Sequence, residues 1–392
     1  MSLQPHHSAL DVPEILYTIG SFMAHESLTS CLLVSRYFHQ ALEPLFFSHL
    51  YDKTRRPSPA LIQSRYLLRV RHLFTIHFIY DYDEDDEVAD PDQVGSADEI
   101  MDALRKLIYN NPGLRRWTIH EPVPQLTHIV WEALAYPTES QNEQQEHIRT
   151  AATATNTNLT GPRLDVLDIT FTTIDHKSVS LFFAACRATN TLRLSSCTIK
   201  WLWDSHNRPL CETLPPHADG PYFPQSVGFA DIIGLSVLAQ LEFLARCPNV
   251  QKIHLQSTTR SSHYAKHYQL LEQDNGISVN QPLPSTDDIR RFIQPRTWMH
   301  LRSLVVSGVY SSYYGKALEF IQDEGFAYIL ESIPTQHLVE LDCSGTAFGP
   351  LGLEALKRHC DVLRLLVIKR SSSFASALVQ EALESFPKLT SL

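Results

Sequence analysis

No stretch of this 392-residue chain is apolar for the roughly 18–20 residues that a bilayer-crossing helix requires. Met1 to Ser8 carries His6 and His7 but no basic-then-apolar leader pattern. A cytoplasmic or nuclear protein with no membrane partner is therefore expected. The seven cysteines (Cys31, Cys186, Cys197, Cys211, Cys247, Cys343 and Cys360) are scattered, odd in number and never arranged C-x-x-C. That excludes a disulfide framework and a paired-cysteine zinc site, and predicts reduced thiols in apolar positions. A basic excess is also lacking. Lys and Arg number 33 against 43 acids, so no nucleic-acid partner is expected.

Motifs of chemistry are missing as well. Nineteen histidines include no H-E-x-x-H pair and no Cys/His zinc spacing. His263 and His267 stand four apart without an acidic partner at a useful distance, which favours a surface pair. There is no G-x-S-x-G elbow, no G-x-x-x-x-G-K-S/T phosphate loop and no G-x-G-x-x-G turn. No cysteine carries a local nucleophile signature. The expectation is a protein without catalysis, cofactor or metal.

What is present is uneven. Asp81 to Glu99 holds ten acids and no base, so the remainder balances at 33 acids against 33 bases. Like charges with nothing apolar between them predict a solvated loop, with a partner-binding acidic patch as the sharper alternative. Ahead of it, the first fifty residues form a short apolar module. Pro13 suits a first helical turn, with Asp11 as its cap. Ile15, Leu16, Ile19 and Phe22 recur at helical spacing. A break at 25–27 is expected, with Ser27 capping a second helix that carries Leu28, Cys31 and Leu32. Phe38, Leu42, Leu45 and Phe46 mark a third helix, which Pro44 would interrupt or bend. A core this small sits at the lower edge of stability, and such a module needs something to lean on.

The sequence Leu10-Asp11-Val12-Pro13-Glu14-Ile15-Leu16, followed by Leu32-Leu33-Val34-Ser35-Arg36-Tyr37-Phe38, resembles the F-box family over residues 8–50. The family usually has an acidic residue where Ser27 precedes Leu28, and often Trp where this chain has Phe38. The resemblance implies a three-helix docking module for a Skp-type adaptor and, through it, a cullin scaffold of a ubiquitin ligase. By matching position, Leu10, Pro13, Ile15, Leu16, Ile19, Leu32, Val34 and Phe38 would make or support the adaptor contact.

From about residue 65 one phrase returns: apolar, two variable, apolar, one variable, apolar. Good copies start at Leu114, Leu164, Val250, Leu301, Leu338 and Leu363, weaker ones near Val70 and Thr189, and a last at Leu389. The phrase ends in strand-like alternation, and segments such as 352–357 and 377–383 between copies are helix-like. Starts at 338, 363 and 389 lie 25 and 26 residues apart. This resembles a leucine-rich repeat over residues 65–392, implying an irregular α/β solenoid with parallel strands on the concave side and helices on the convex side. An ordinary α/β domain is the alternative. Long loops are expected at 81–99, 137–163, 201–228 and 257–297. Trp201, Trp203 and Tyr310 to Tyr314 either pack their loops or anchor a target. The chain stops inside a phrase, so a longer natural protein or a frayed last unit is expected.

The combined expectation is a substrate receptor of a Skp–cullin–F-box type ubiquitin ligase. Residues between the buried positions of each phrase would face the target protein: Arg116, Thr118, Asp168, Lys252, His254, Ser303, Val305, Glu340, Asp342 and Lys369. The rival is a repeat scaffold whose N-terminal helices only cap the solenoid. A third reading keeps the adaptor contact but places its use outside degradation.

Overall fold

The computed structural model describes residues 13–20, 22–23, 25–46, 49–52, 75–79, 97–111, 113–120, 126–136, 163–199, 214, 222–232, 235, 237–257, 285–308, 310–311, 316–317, 321–369 and 376–390. The chain forms two units, Met1–His120 with Tyr136–Glu139, and Glu121–Ala135 with Ser140–Leu392.

The first unit opens with three helices, α1 (Pro13–Gly20), α2 (His25–Leu32) and α3 (Arg36–Phe46). Pro13 is the first residue of α1, where its missing N–H costs nothing. Two expectations shift here. α2 starts at His25, so Ser27 lies inside it, and α3 runs through Pro44. Ser35 caps α3 instead, its Oγ accepting from Phe38 N at 3.2 Å. Strands β1 (His49–Asp52), β2 (Thr75–Ile79) and β3 (Arg116–His120) follow in parallel register, with α4 (Ala97–Asn110) between the last two. Met101, Leu104, Leu107 and Ile108 bury one face of α4 at helical spacing.

The second unit begins with α5 (His128–Ala135), β4 (Leu164–Thr170), β5 (Thr173–Ile174), α6 (Val179–Arg187), β6 (Thr189–Ser195), β7 (Thr198–Ile199) and β8 (Ser226–Ala230). It continues through α7 (Val237–Ala245), β9 (Lys252–Ser257), α8 (Thr286–Phe292), β10 (Ser303–Gly308), and the antiparallel pair β11 (Tyr310–Ser311) and β12 (Lys316–Ala317). α9 (Asp323–Ser332), β13 (Glu340–Asp342), α10 (Pro350–Leu356), β14 (Leu365–Val367) and α11 (Ser376–Ser385) complete it. Its main sheet runs β4-β6-β8-β9-β10-β13-β14, every pairing parallel and every neighbour the next main strand in sequence. A mixed α/β fold with a parallel sheet follows.

The repeated phrase explains this order. Its three apolar positions are buried in copy after copy: Leu164, Leu167 and Ile169; Val250, Ile253 and Leu255; Leu301, Leu304 and Val306; Leu338, Leu341 and Cys343. Two positions later the backbone turns left-handed at the same place in four copies, at Phe171 (φ 60°), Ser196 (φ 51°), Asp231 (φ 52°) and Gly345 (φ 67°). Each of these residues donates its N–H to the next strand's end, at Ser195 O, Ala230 O, Gln256 O and Lys369 O respectively. The ninth position is a small buried polar or thiol side chain at Thr172, Cys197 and Thr346, and the Cys197 thiol donates to Ile169 O one strand back at 3.5 Å.

Three of the expected loops overlap regular structure: α4 begins inside 81–99, β8 lies partly inside 201–228 and α8 lies inside 257–297. In β8 the first apolar slot is filled by Pro224, which masks the phrase Pro224-x-x-Val227-x-Phe229. Ser285 and Asp288 form a reciprocal capping box on α8. Further along, Trp298 donates from its indole to Leu244 O at 3.0 Å and fixes the segment before β10 against α7. Trp201, Trp203, Tyr313, Tyr314, His263, His267, and the acidic run up to position 96 lie outside the described residues.

Candidate docking surfaces

In the three-helix module, helix geometry separates two faces that the sequence pattern merges. Leu16 and Gly20 stand one turn apart and face α3, whereas Ile15 and Ile19 form the adjacent pair. Leu16 packs with Leu28 and Leu42 as a small core, supported by Leu32, Phe38, Leu45 and others. Gly20 permits the close approach: a Cβ there would meet Leu42 Cδ2 at 2.6 Å and Leu45 Cδ1 at 2.7 Å. Leu16, at 2% exposure, is thus a core residue, and Leu32 and Phe38 support that core from partly buried positions. Pro13, Ile15, Ile19 and Val34 are exposed, while Leu10 lies outside the described residues.

The uncovered apolar surface is larger than the sequence pattern indicated. Phe22 is 87% exposed, Leu33 84% and Val34 66%, with Ile15, Tyr17 and Ile19 each close to half exposed. Phe22 N bonds Ile19 O at 3.1 Å, and Val34 N bonds Cys31 O at 3.1 Å. These turns hold Phe22, Leu33 and Val34 just beyond the ends of α1 and α2. Tyr17 and Leu33 escaped the sequence-based selection because that selection followed the motif's matching positions.

In the second unit the solvent face of the sheet is built in rungs. One rung runs Thr191, Ser226, Lys252, Ser303, Glu340 and Leu365. The next runs Asp168, Arg193, Gly228, His254, Val305, Asp342 and Val367. Of the residues expected here, Asp168, Lys252, His254, Ser303, Val305, Glu340 and Asp342 all fall on these two rungs. Lys369 is exposed just past β14. Arg116 and Thr118 sit on β3 in the first unit, Arg116 exposed and Thr118 half-buried. Ser303 is 7% exposed, flanked on its rung by the longer side chains of Lys252 and Glu340. Arg193, Thr191, Ser226 and Gly228 were missed, since β6 is a weak copy of the phrase and β8 a disguised one.

The electrostatics of this face are mixed. Arg193 Nη1 lies 3.9 Å from Asp168 Oδ2, with the arginine side chain 66% exposed. Desolvation depresses the His254 pKa, opposed by the nearby Asp342 carboxylate and a hydrogen bond with Gln256. Asp342 also accepts from Ser344 N at 2.9 Å.

Elsewhere the chemistry is quiet. Burial pushes the Cys197 thiol up to about 12 and raises Cys186, Cys247 and Cys343 as well, so none of these four is a thiolate near neutral pH. Among the described residues no group of three His, Cys, Asp or Glu side chains is placed to hold a metal. No helix among them is long and apolar enough to cross a membrane. A shallow cleft of about 240 Å³ opens between α8, α9 and α10, walled by Glu324, Glu331 and Glu354. The chain's own Arg290 sits 5.2 Å over the Tyr328 ring within it. The chain matches no protein-family model and no curated protein.

Proposed function

We propose that this protein is a substrate receptor of a Skp–cullin–F-box type ubiquitin ligase. The helical module docks on the Skp-type adaptor, and a leucine-rich-repeat domain presents the target. The reading rests on one observation above the rest: among the described residues of the module, six large apolar side chains (Ile15, Tyr17, Ile19, Phe22, Leu33 and Val34) lie open beside a core of three buried leucines. Large apolar side chains left open in this number mark a candidate protein-interaction surface. Covering each side chain would contribute about 1.5–3 kcal/mol before the cost of association. The repeat assignment is supported by the recurring buried positions, the shared left-handed turn and the Thr or Cys at the ninth place. In this role the chain supplies proximity, and its partners supply ubiquitin transfer.

Co-purification with a Skp-type adaptor tests the reading. Ile19→Asp and Val34→Asp, which place a charge on the open face without touching the core, should abolish the complex while the thermal midpoint stays unchanged. Leu16→Asp is a poor test, because it would unfold the module. Wild-type protein that fails to bind the adaptor leaves the repeat-scaffold reading in its place. Adaptor binding without target accumulation on cullin inhibition would move the function outside degradation.

A further inference from the structure

We infer that the sheet face over β8 is a furrow for an extended peptide segment rich in Asp and Glu. This rests on the receptor reading and names the chemistry of the target segment it would hold. All three outward residues of β8, Ser226, Gly228 and Ala230, are small. Their neighbours on the same rungs are not. Arg193 on β6 forms one wall, and Lys252 and His254 on β9 form the other. Adjacent strands are ~4.8 Å apart, so the walls stand about 10 Å apart, which is wide enough for one extended chain to reach both sides.

The charges decide the occupant. Arg193 is only loosely engaged by Asp168, at 3.9 Å, and is 66% exposed, so its guanidinium keeps donors for a second carboxylate. Lys252 has no ion pair among the described residues and is exposed. Beyond β9 the face changes sign: β10 contributes Ser303 and Val305, and β13 contributes Glu340 and Asp342. An acidic segment is attracted over β6 to β9 and repelled past β10, which fixes where it lies. The whole chain carries a net charge of -10, so such a ligand gains nothing from the molecule's overall field and must be held locally. Gly228 keeps the furrow open. A Cβ there would make ordinary contacts at 3.8 Å to Arg193 Cγ and 3.9 Å to His254 Cβ, so a longer side chain fills the space without a backbone clash.

Fluorescence anisotropy with a fluorescein-labelled decaglutamate peptide tests this on the full chain. The wild type should bind it, with affinity falling as salt rises. Arg193→Glu with Lys252→Glu should weaken binding by about tenfold or more, the loss of a charge-assisted contact. Gly228→Leu, with every charge intact, should weaken it by occlusion, whereas Arg302→Glu, at the entry to β10, should leave it unchanged. Equal thermal midpoints establish that the variants fold. The inference is overturned if wild type ignores decaglutamate, if a phosphoserine peptide or decalysine is bound in its stead, or if Arg302→Glu weakens binding as much as the furrow variants. Adaptor capture by the same variants keeps the two readings apart. Retained capture with no peptide binding removes the furrow alone. Peptide binding that follows the variants without any capture removes the receptor reading alone.

Discussion

His359 illustrates what one residue does in this fold. It is fully buried, with Nδ1 placed to accept from Leu338 N at 3.4 Å and Nε2 facing Leu330 O at 3.5 Å. That pairing suits a neutral ring protonated on Nε2, and burial lowers its pKa to about 4. The unfolded chain takes up the proton near pH 6.5, well before the folded one does. The stabilisation is therefore complete above about 6.5 and is lost as pH falls towards 4. Between pH 7 and pH 5 the wild type should lose about 2 kcal/mol from this group alone. His359→Gln should be less stable at pH 7 but should show a flatter dependence on pH. Urea midpoints at the two pH values measure both. A pH dependence identical in variant and wild type would assign the loss to other groups.

Two devices operate on whole elements. The first is the left-handed residue that follows four of the strands, β4, β6, β8 and β13. A residue with a Cβ is strained by about 1–2 kcal/mol there, and Gly345 shows the relaxed solution in the same position. Ser196→Gly should raise stability by about 0.5–1 kcal/mol, whereas Gly345→Ala should lower it by a similar or larger amount. Thermal midpoints moving in the same direction for both would break the link between turn and stability. The second is Asp323, at the start of α9. Its Oδ1 accepts from Gly349 N and Gly352 N at 2.8 Å each, and its Oδ2 from Leu351 N at 3.0 Å, so one helix caps the next. Asp323→Ala should cost about 2 kcal/mol and Asp323→Asn less, with the loss expressed first as amide exchange in 349–356.

Much of this was readable because burial enforces a period. Leu301, Leu304 and Val306 must all turn inward, and the spacing 1, 4, 6 records that in the sequence. What was not readable depends on neighbours outside the local pattern. Pro224 fills a leucine slot as well as leucine does, yet it reads as a breaker, so β8 was hidden. Ile15 and Leu16 are equally apolar, and only the position of α3 decides that one is covered and the other open. Ser303 and Lys252 share a face, but side-chain length determines which of them a ligand meets. The furrow over β8 was invisible for the same reason, since it is made by residues of three strands that meet only after folding.

At the scale of the second unit, the question is whether its units hold one another or collapse as one body. Backbone bonds link successive strand entries: Gln251 N to Gln225 O, Arg302 N to Gln251 O, Val339 N to Arg302 O, Arg364 N to Val339 O, and Thr390 N to Arg364 O. The last of these ties Thr390 to the preceding strand at 2.8 Å, with its hydroxyl adding a second bond at 2.9 Å, so the final phrase continues the ladder. Were the unit a repeat stack, each repeat would contact mostly its neighbours and stability would be a sum of repeat and interface contributions. Leu304, at 2% exposure in β10, is the place to test it. Leu304→Ala should cost about 2–5 kcal/mol locally. Amide exchange should accelerate most in β10, then in β9 and β13 beside it, and least in β4, four strands away. Uniform acceleration from β4 to β14 would instead describe a single cooperative core, and the repeat-by-repeat account of this unit would have to be abandoned.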